Sequence, residues 1–528
     1  LKTIITKALI SAFLFWAAWP PNDYFFLTFV ALSPILNVYL TKSRNLSSRK
    51  LYMCGFLALF FFNTSVTFWI YELTNKAFLI HIFNALLFST SVLLFQFILS
   101  KHHRYIGYIY FVLAWIVLEY LHLNWELAYP LLTLGNSLAK FPLLIQWYEF
   151  TGVLGGSVWI LLVNVIVCEL LFSRFCSKRE LNIKLVLLAL VIVIPIAISV
   201  TLFKIYKERG IIVSVSVLNS NIDCRIEKYS MSADSLISRY ISIQKPSKKS
   251  ELIVWPETAI PNGGLANQIT RNMGFSQIKN SLLNDSVCLI TGAIIYENAG
   301  LTPKRVRGLF YHPQFNTWLS THNSIVKLQR NEEAVLVKSK KRLVAFEEFS
   351  PYPEILQMVS NINKSLGGFE FSEAINSCES FSTHKVSVLP LICYESLFGA
   401  DMRNCITEVP QIITISLNEG WYHDYTGASQ FLYYSCLRAI EFRRSVARSS
   451  NGGISGFVSQ RGELLNYNKK LDEPGYLTYD LLASGSRTFY ARHGDYLGVV
   501  SIILIIALSL ALIIAFAYKK LLRNSLPF

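Results

Sequence analysis

The chain has 528 residues, of which 52% are hydrophobic and only 16% charged, and its mean hydropathy is +0.39. That balance excludes an ordinary soluble globular protein. A net charge of +15 would suit a nucleic-acid binder if it formed one basic face, but its distribution along the chain argues otherwise.

Apolar runs of about 17–25 residues read as membrane-spanning helices. Seven precede residue 206, at 4–19, 24–41, 51–71, 77–100, 104–122, 151–173 and 184–204, and an eighth covers 495–517. The first runs into Trp19-Pro20-Pro21 rather than a small-residue cleavage site, so it is expected to stay as a helix. Basic residues cluster in every second loop: Lys42, Arg44, Arg49 and Lys50; Lys101 and Arg104; Arg174, Lys178, Arg179 and Lys184; and Lys519, Lys520 and Arg523 after the last span. Glu180 is the lone acid among them. By the positive-inside rule these loops and both termini face the cytoplasm, and an odd number of spans carries residues 206–490 to the opposite side. The charge therefore orients helices, and no nucleic-acid partner is expected.

The connection at 123–150 is long and aromatic, with Trp125, Tyr129, Phe141, Trp147 and Tyr148, and is expected to lie along the bilayer surface. From residue 211 the period changes. IleIleValSerValSerValLeuAsn (211–219) alternates as a strand does, and 251–255, 287–295, 386–392 and 411–417 are short β-branched runs suited to a buried sheet. Helical patterns at 230–245, 265–283 and 427–446 lie between them, and 455–465 reads as a hairpin. Strands alternating with helices predict α/β layers around one core. The expected domains are 1–207 in the membrane, 208–490 as the α/β unit and 491–528 as a last span with a cytoplasmic tail.

Three segments of the α/β unit carry chemistry. Cys393 ends an apolar run and is followed at once by Tyr394, Glu395 and Ser396, so its thiol is presented at a strand-to-loop transition. Glu257 follows TrpPro just beyond another buried run, and the two ends would share one sheet edge if the strands are parallel. A basic stretch offers Lys338, Lys340, Lys341 and Arg342. A buried structural cysteine, a solvated acid and a solvated basic face are the plain alternatives. The nine cysteines show no metal-like pairing, and Cys378 with Cys405 is one conceivable disulfide. No metal or cofactor is expected.

The order TrpProGlu, Lys-x-x-LeuVal-x-PheGluGlu, CysTyrGlu resembles the nitrilase superfamily, and the surrounding helices narrow the likeness to the apolipoprotein N-acyltransferases. GlnTrpTyrGluPheThrGlyValLeuGlyGlySer (146–157), AsnGluGlyTrpTyr (418–422) and the arginine-rich 438–454 extend it over nearly the whole chain. The resemblance implies about eight spans with an extracytoplasmic α-β-β-α sandwich. It implies Glu257 as general base, Lys340 as catalytic lysine and Cys393 as nucleophile. Glu348, eight residues after Lys340, would support the lysine, as would Tyr394 and Glu395 beside the thiol. Asn418, Trp421 and Tyr229 would contact substrate. Ala345, Glu347, Glu419-Gly420 and Tyr229 depart from the family pattern.

The implied reaction moves the sn-1 acyl chain of a phospholipid, phosphatidylethanolamine by expectation, to Cys393 as a thioester. The chain then passes to the α-amino group of a diacylglyceryl-cysteine apolipoprotein. The implied location is a bacterial inner membrane with the catalytic domain periplasmic, and a monomer is expected. A membrane-anchored amidase or hydrolase, or a non-catalytic receptor or transporter, would be the alternatives.

Overall fold

The computed structural model describes every residue except 1, 43–46, 75, 173–176, 229, 245–249, 302–306, 314–315, 334, 353–369, 375–378, 410, 469–472 and 526–528. Among the described residues five helices are long and apolar enough to cross a membrane: Ala77–Lys101, Arg104–His122, Tyr148–Phe172, Lys178–Ile205 and Tyr496–Tyr518. Lys2–Ala18 and Ser48–Val66 pack in the same bundle, with the Phe15 and Phe62 rings 4.2 Å apart.

The run at 24–41 is not one continuous helix. A 3-10 turn at Phe25–Phe29 leads into Ser33–Lys42, and ten residues rise only about 15 Å, half the hydrocarbon thickness. Asn164 stabilises the break, its amide donating to Thr28 O and accepting from Leu32 N, each at 2.8 Å. At the opposite end of the bundle Glu169 gathers Lys184 at 2.8 Å and Arg104 at 3.4 Å.

The 123–150 connection is drawn into the protein. It folds into short 3-10 turns at Pro130–Leu132, Leu134–Leu138 and Pro142–Leu144, and Leu131, Leu134 and Leu138 are buried. The buried carboxylate of Glu119 is the reason. It accepts from Leu134 N at 2.8 Å and from Trp115 Nε1 at 3.0 Å, satisfying a donor that would otherwise need water.

Among the described residues thirteen strands build the α/β unit. They are β1 (Ile211–Asn219), β2 (Leu252–Val254), β3 (Cys288–Gly300), β4 (Leu309–His312), β5 (Thr317–Leu328), β6 (Leu336–Ser339), β7 (Phe381–Ser382), β8 (Ser387–Ile392), β9 (Gln411–Asn418), β10 (Val446–Asn451), β11 (Gly456–Val458), β12 (Leu464–Tyr467) and β13 (Gly475–Ala483). One sheet runs β13-β1-β2-β3-β5-β4 with β6 beside β5, and the other runs β12-β11-β10-β9-β8-β7. Pairing is parallel along β1-β2-β3 and along β8-β9-β10. The strands bearing Glu257 and Cys393 therefore belong to different sheets, not to one edge, and meet across the sandwich.

Strand alternation decides what each face buries. Val388 and Ile392 of β8 face Val254, Ile290 and Ile325 in the layer between the sheets. Leu389 and Leu391 point outward, with Ile413 and Ile415, into a core shared with Trp19, Trp69 and Leu131. The helix Tyr425–Phe442 lies in that shared core and is buried from Gly427 onward except at the half-buried Tyr433. Asp424 caps its start by accepting from Thr426 N at 2.6 Å. It ends at Phe442, short of the expected 446, because Arg443 turns left-handed and donates to Glu149 at 2.7 Å. Trp19 Nε1 donates to Tyr434 at 2.9 Å and Trp69 Nε1 to Gln430 at 3.0 Å, fixing the bundle on this helix. On the far face Ala233–Ile243 and Met273–Ser281 cover β2, β3 and β5 through Leu236, Tyr240, Phe275 and Ile278. The layers are α-β-β-α, with one α layer continuous with the membrane helices.

Cys405 is disulfide-bonded. Cys378, its conceivable partner from sequence, lies outside the described residues.

Candidate active site

Glu257 sits in the turn that leaves β2. Trp255 N still pairs with Ile290 O at 2.8 Å, and two residues later Glu257 N donates to Leu417 O of the other sheet at 3.3 Å. The turn rests directly on β3 at Gly292, where a Cβ would lie 2.4 Å from Thr258 N and 2.7 Å from Glu257 Cα. Only glycine admits this approach.

Lys340 follows β6 and is buried, its backbone N donating to Asn323 O at 2.7 Å. Its ammonium meets Glu257 Oε1 at 3.0 Å and Glu348 Oε1 at 2.8 Å. The other basic candidates have different partners. Lys338 pairs with Glu395 at 3.0 Å, and Lys341 and Arg342 pair with Asp401. Glu348 is held by a compact loop in which Val344 N donates to its Oε2 at 2.8 Å. The residue with positive φ in this loop is Phe346, at 67°, and Glu347 is not among such residues. The loop therefore turns without the glycine that the family pattern carries.

Asn323, in the middle of β5, is a site residue that sequence reasoning missed. Its amide donates to Glu257 Oε1 at 2.8 Å and to Glu348 Oε1 at 3.1 Å, so two carboxylates share one ammonium and one amide. The signal was a polar side chain inside a strand whose neighbours alternate with serine, threonine and histidine. Sequence reasoning also passed over Lys228, which is fully buried and donates to Glu257 O at 3.0 Å and Thr258 Oγ1 at 2.6 Å.

Cys393 begins a 3-10 turn, Cys393–Leu397, with φ of 45°. A left-handed cysteine costs on the order of 1–3 kcal/mol and turns the side chain out of the strand direction. Glu395 holds this geometry. One oxygen accepts from Ile392 N at 2.9 Å and from Lys338, while the other accepts from Lys341 N at 2.8 Å. The nucleophile turn is thus fastened to the lysine segment. Tyr394 donates to Ala128 O at 2.8 Å, fastening the same turn to the inward-folded connection.

The charges are mutually dependent. Burial disfavours the Lys340 ammonium, but Glu257 and Glu348 outweigh it and hold its pKa above the ordinary lysine value. Burial raises Glu348, against the pull of Lys340. Burial, then the Glu257 charge, pushes the Cys393 thiol well above its usual value, with Lys340 opposing. The resting site therefore holds a protonated thiol beside an ion-paired carboxylate, which suits proton transfer during attack.

Asn418 ends β9 and Trp421 follows it. Turned so that its amide oxygen faces Trp421 Nε1 and Lys228 Nζ, Asn418 accepts from both, each at 3.0 Å. Glu419, where the family has aspartate, accepts from Arg448, from Ser450 Oγ at 2.7 Å and from Ile454 N at 3.1 Å. Its longer side chain fits because Gly453 is bare, since a Cβ there would lie 2.0 Å from Glu419 Oε2. Tyr229 lies outside the described residues.

A cavity of about 420 Å³ opens at these groups. Glu257, Lys340, Cys393 and Trp421 line one end, and Trp69, Leu79, Ile80 and Phe83 of the bundle line another. The arrangement can form and discharge an acyl-thioester on a chain that lies among membrane helices.

A model of the apolipoprotein N-acyltransferase N-terminal domain matches residues 11–166, and a carbon-nitrogen hydrolase model matches 221–488. The apolipoprotein N-acyltransferase of Haemophilus influenzae is 26% identical over 505 residues, covering 92% of this chain and 91% of that protein. That of Chlorobaculum tepidum is 26% identical over 417 residues, covering 75% and 77%. Among solved structures, an amidase of the nitrilase superfamily from Nesterenkonia covers 55% of this chain and 94% of its own, at 13% identity and a TM-score of 0.34.

Proposed function

The chain belongs to the carbon-nitrogen hydrolase family, as a membrane-bound member of its apolipoprotein N-acyltransferase branch, and on that premise we propose how it N-acylates lipoproteins. Glu257 takes the thiol proton as Cys393 sulfur attacks the sn-1 ester carbonyl of a phospholipid. Lys340 donates to the oxyanion, a contribution typically worth about 3–4 kcal/mol. The tetrahedral adduct collapses, the carbon–oxygen bond breaks, and the lysophospholipid oxygen takes the proton back from Glu257. The α-amino group of a diacylglyceryl-cysteine then attacks the thioester, Glu257 accepts its proton, and the thiol is restored as the amide forms. Glu348 and Asn323 keep the carboxylate and ammonium aligned throughout.

The observation that carries this reading is the cavity that joins Cys393 to the bundle residues Leu79, Ile80 and Phe83. Each CH₂ of an acyl chain costs about 0.8 kcal/mol in water. A site continuous with membrane helices takes both lipid substrates without extracting them, and a dry pocket guards the thioester from hydrolysis. Residues 208–490 perform the chemistry while 1–207 and 491–528 supply the lipid access. The basic loops favour a catalytic unit outside the cytoplasm, which suits an acceptor displayed on the periplasmic side of a bacterial inner membrane. Phosphatidylethanolamine is the proposed donor.

Mass spectrometry of the purified chain with phosphatidylethanolamine tests the scheme. An acyl adduct is expected on Cys393, absent in Cys393→Ala and Glu257→Gln, and passed on when a diacylated lipopeptide is added. An adduct that survives Cys393→Ala overturns the nucleophile. Fatty acid released to water at the same rate without an amine overturns acyl transfer in favour of hydrolysis.

A further inference from the structure

We propose that Lys228 is a positioning residue of this site, its ammonium tying the turn that carries Glu257 to the loop that carries Trp421. The inference rests on the reading of Glu257 as base and Cys393 as nucleophile. Lys228 is fully buried and has three N–H donors. Two meet Glu257 O at 3.0 Å and Thr258 Oγ1 at 2.6 Å, and with the Asn418 amide turned so that its oxygen faces Lys228, the third meets that oxygen at 3.0 Å. Among the described residues no carboxylate pairs with it directly. Three acceptors and no donor match an ammonium, because a neutral amine would leave a lone pair facing oxygen.

A buried cation without its own counter-ion is costly, and burial pulls Lys228 below the ordinary lysine range, with the Cys224 thiol and the Glu257 charge opposing. Packing alone would be served by an apolar side chain of the same length. What the ammonium adds is restraint of a strained turn. Thr258 has φ of 46°, a conformation that β-branched residues rarely adopt. Lys228 grips both sides of that residue, through its hydroxyl and through the preceding carbonyl. Its third bond orients Asn418, which in turn receives Trp421 Nε1. Three residues earlier Arg225 donates to Trp421 O at 3.1 Å and to Glu72 O at 2.9 Å. One short segment therefore clasps the base, the cavity wall and the membrane bundle. Base and wall keep a fixed separation, as a near-attack geometry requires.

Lys228→Met, similar in length and unable to donate, tests the role in the full chain. Acyl-enzyme formation from saturating phosphatidylethanolamine is expected to slow about 30- to 100-fold, with KM changed less than about threefold. Alkylation of Cys393 by iodoacetamide near neutral pH is expected to slow about tenfold, because the base is displaced. A merely destabilised protein behaves oppositely, since its thiol is exposed and reacts faster. Faster alkylation, or an unchanged rate per folded molecule, overturns the proposal. Thr258→Val removes one acceptor and keeps the shape, and is expected to slow both rates a few-fold; unaltered rates overturn it equally. If wild-type Cys393 alkylates normally but never gains an acyl chain, the acyl-transfer reading fails, and the alkylation comparison still decides the role of Lys228.

Discussion

Sheet β13-β1-β2-β3-β5-β4 and sheet β12-β11-β10-β9-β8-β7 bring unlike material to the same cavity. From the first come Glu257, Asn323, Lys340 and Glu348, joined by bonds of 2.8–3.1 Å. From the second come Cys393 and an outer face of Leu389, Leu391 and Ile413 that continues into the membrane bundle. Each half has the environment its task needs. Charged groups hold one another in place only where they are close and shielded, while an acyl chain needs apolar walls. The difference teaches that reactivity and lipid access are separable in this molecule, residue by residue.

Three substitutions press on that separation. The largest effect is expected at the charged half. Lys340→Met leaves two buried carboxylates without their cation, and the acylation rate should fall about 10²–10³-fold. Stability should fall too, since breaking a buried pair costs about 3–5 kcal/mol, and single-turnover kinetics with a thermal melt read both. A rate within tenfold of wild type would mean that the oxyanion is stabilised elsewhere. A smaller effect is expected at the apolar half. Phe83→Ala should raise KM for a long-chain donor about fivefold, from lost burial on the order of 1 kcal/mol, while kcat holds. A fall in kcat of the same size would show that the two halves are coupled.

The smallest effect lies at the seam between them. Glu441, in the helix Tyr425–Phe442, donates no charge to the cavity; burial, opposed by Arg438, pushes its pKa up to about 8. A raised carboxyl is protonated in the folded state over a range where the unfolded chain has already lost the proton. Its contribution is therefore complete below the unfolded value of about 4.3 and declines as pH rises through about 8. Glu441→Gln should flatten the fall in melting temperature between those limits by the equivalent of about one proton. An unchanged slope would assign the decline to other groups.

Much of the site's placement is legible where chemistry and local pattern coincide. Glu257 and Cys393 each follow a short buried run, Lys340 is picked from a basic stretch by the family resemblance, and the structure gathers them because β2, β6 and β8 terminate at one end of the sandwich. Legibility fails where distant partners decide. Alternation in β8 predicts a strand but not which sheet receives it, and so Glu257 and Cys393 were expected on one edge. The 123–150 connection reads as interfacial because its aromatics favour that setting, yet Glu119, well upstream, supplies the acceptor that draws it inward. Likewise the run at 24–41 is apolar enough for one helix, and Asn164 supplies the bonds that break it. Asn323 and Lys228 were invisible for the same reason, since a lone polar residue acquires meaning only from what it meets.

The helix Tyr425–Phe442 has a consequence for modularity. Its residues from Gly427 onward, Tyr433 apart, are buried against sheet two on one side and against Trp19 and Trp69 on the other, so among the described residues the junction is packed as an interior. The sandwich is bound to its bundle by interior packing rather than by a tether. Excising the α/β unit would uncover a core, and aggregation should follow. Sandwich and bundle therefore share one core, and exchanging one half between distant relatives should require remaking that helix first.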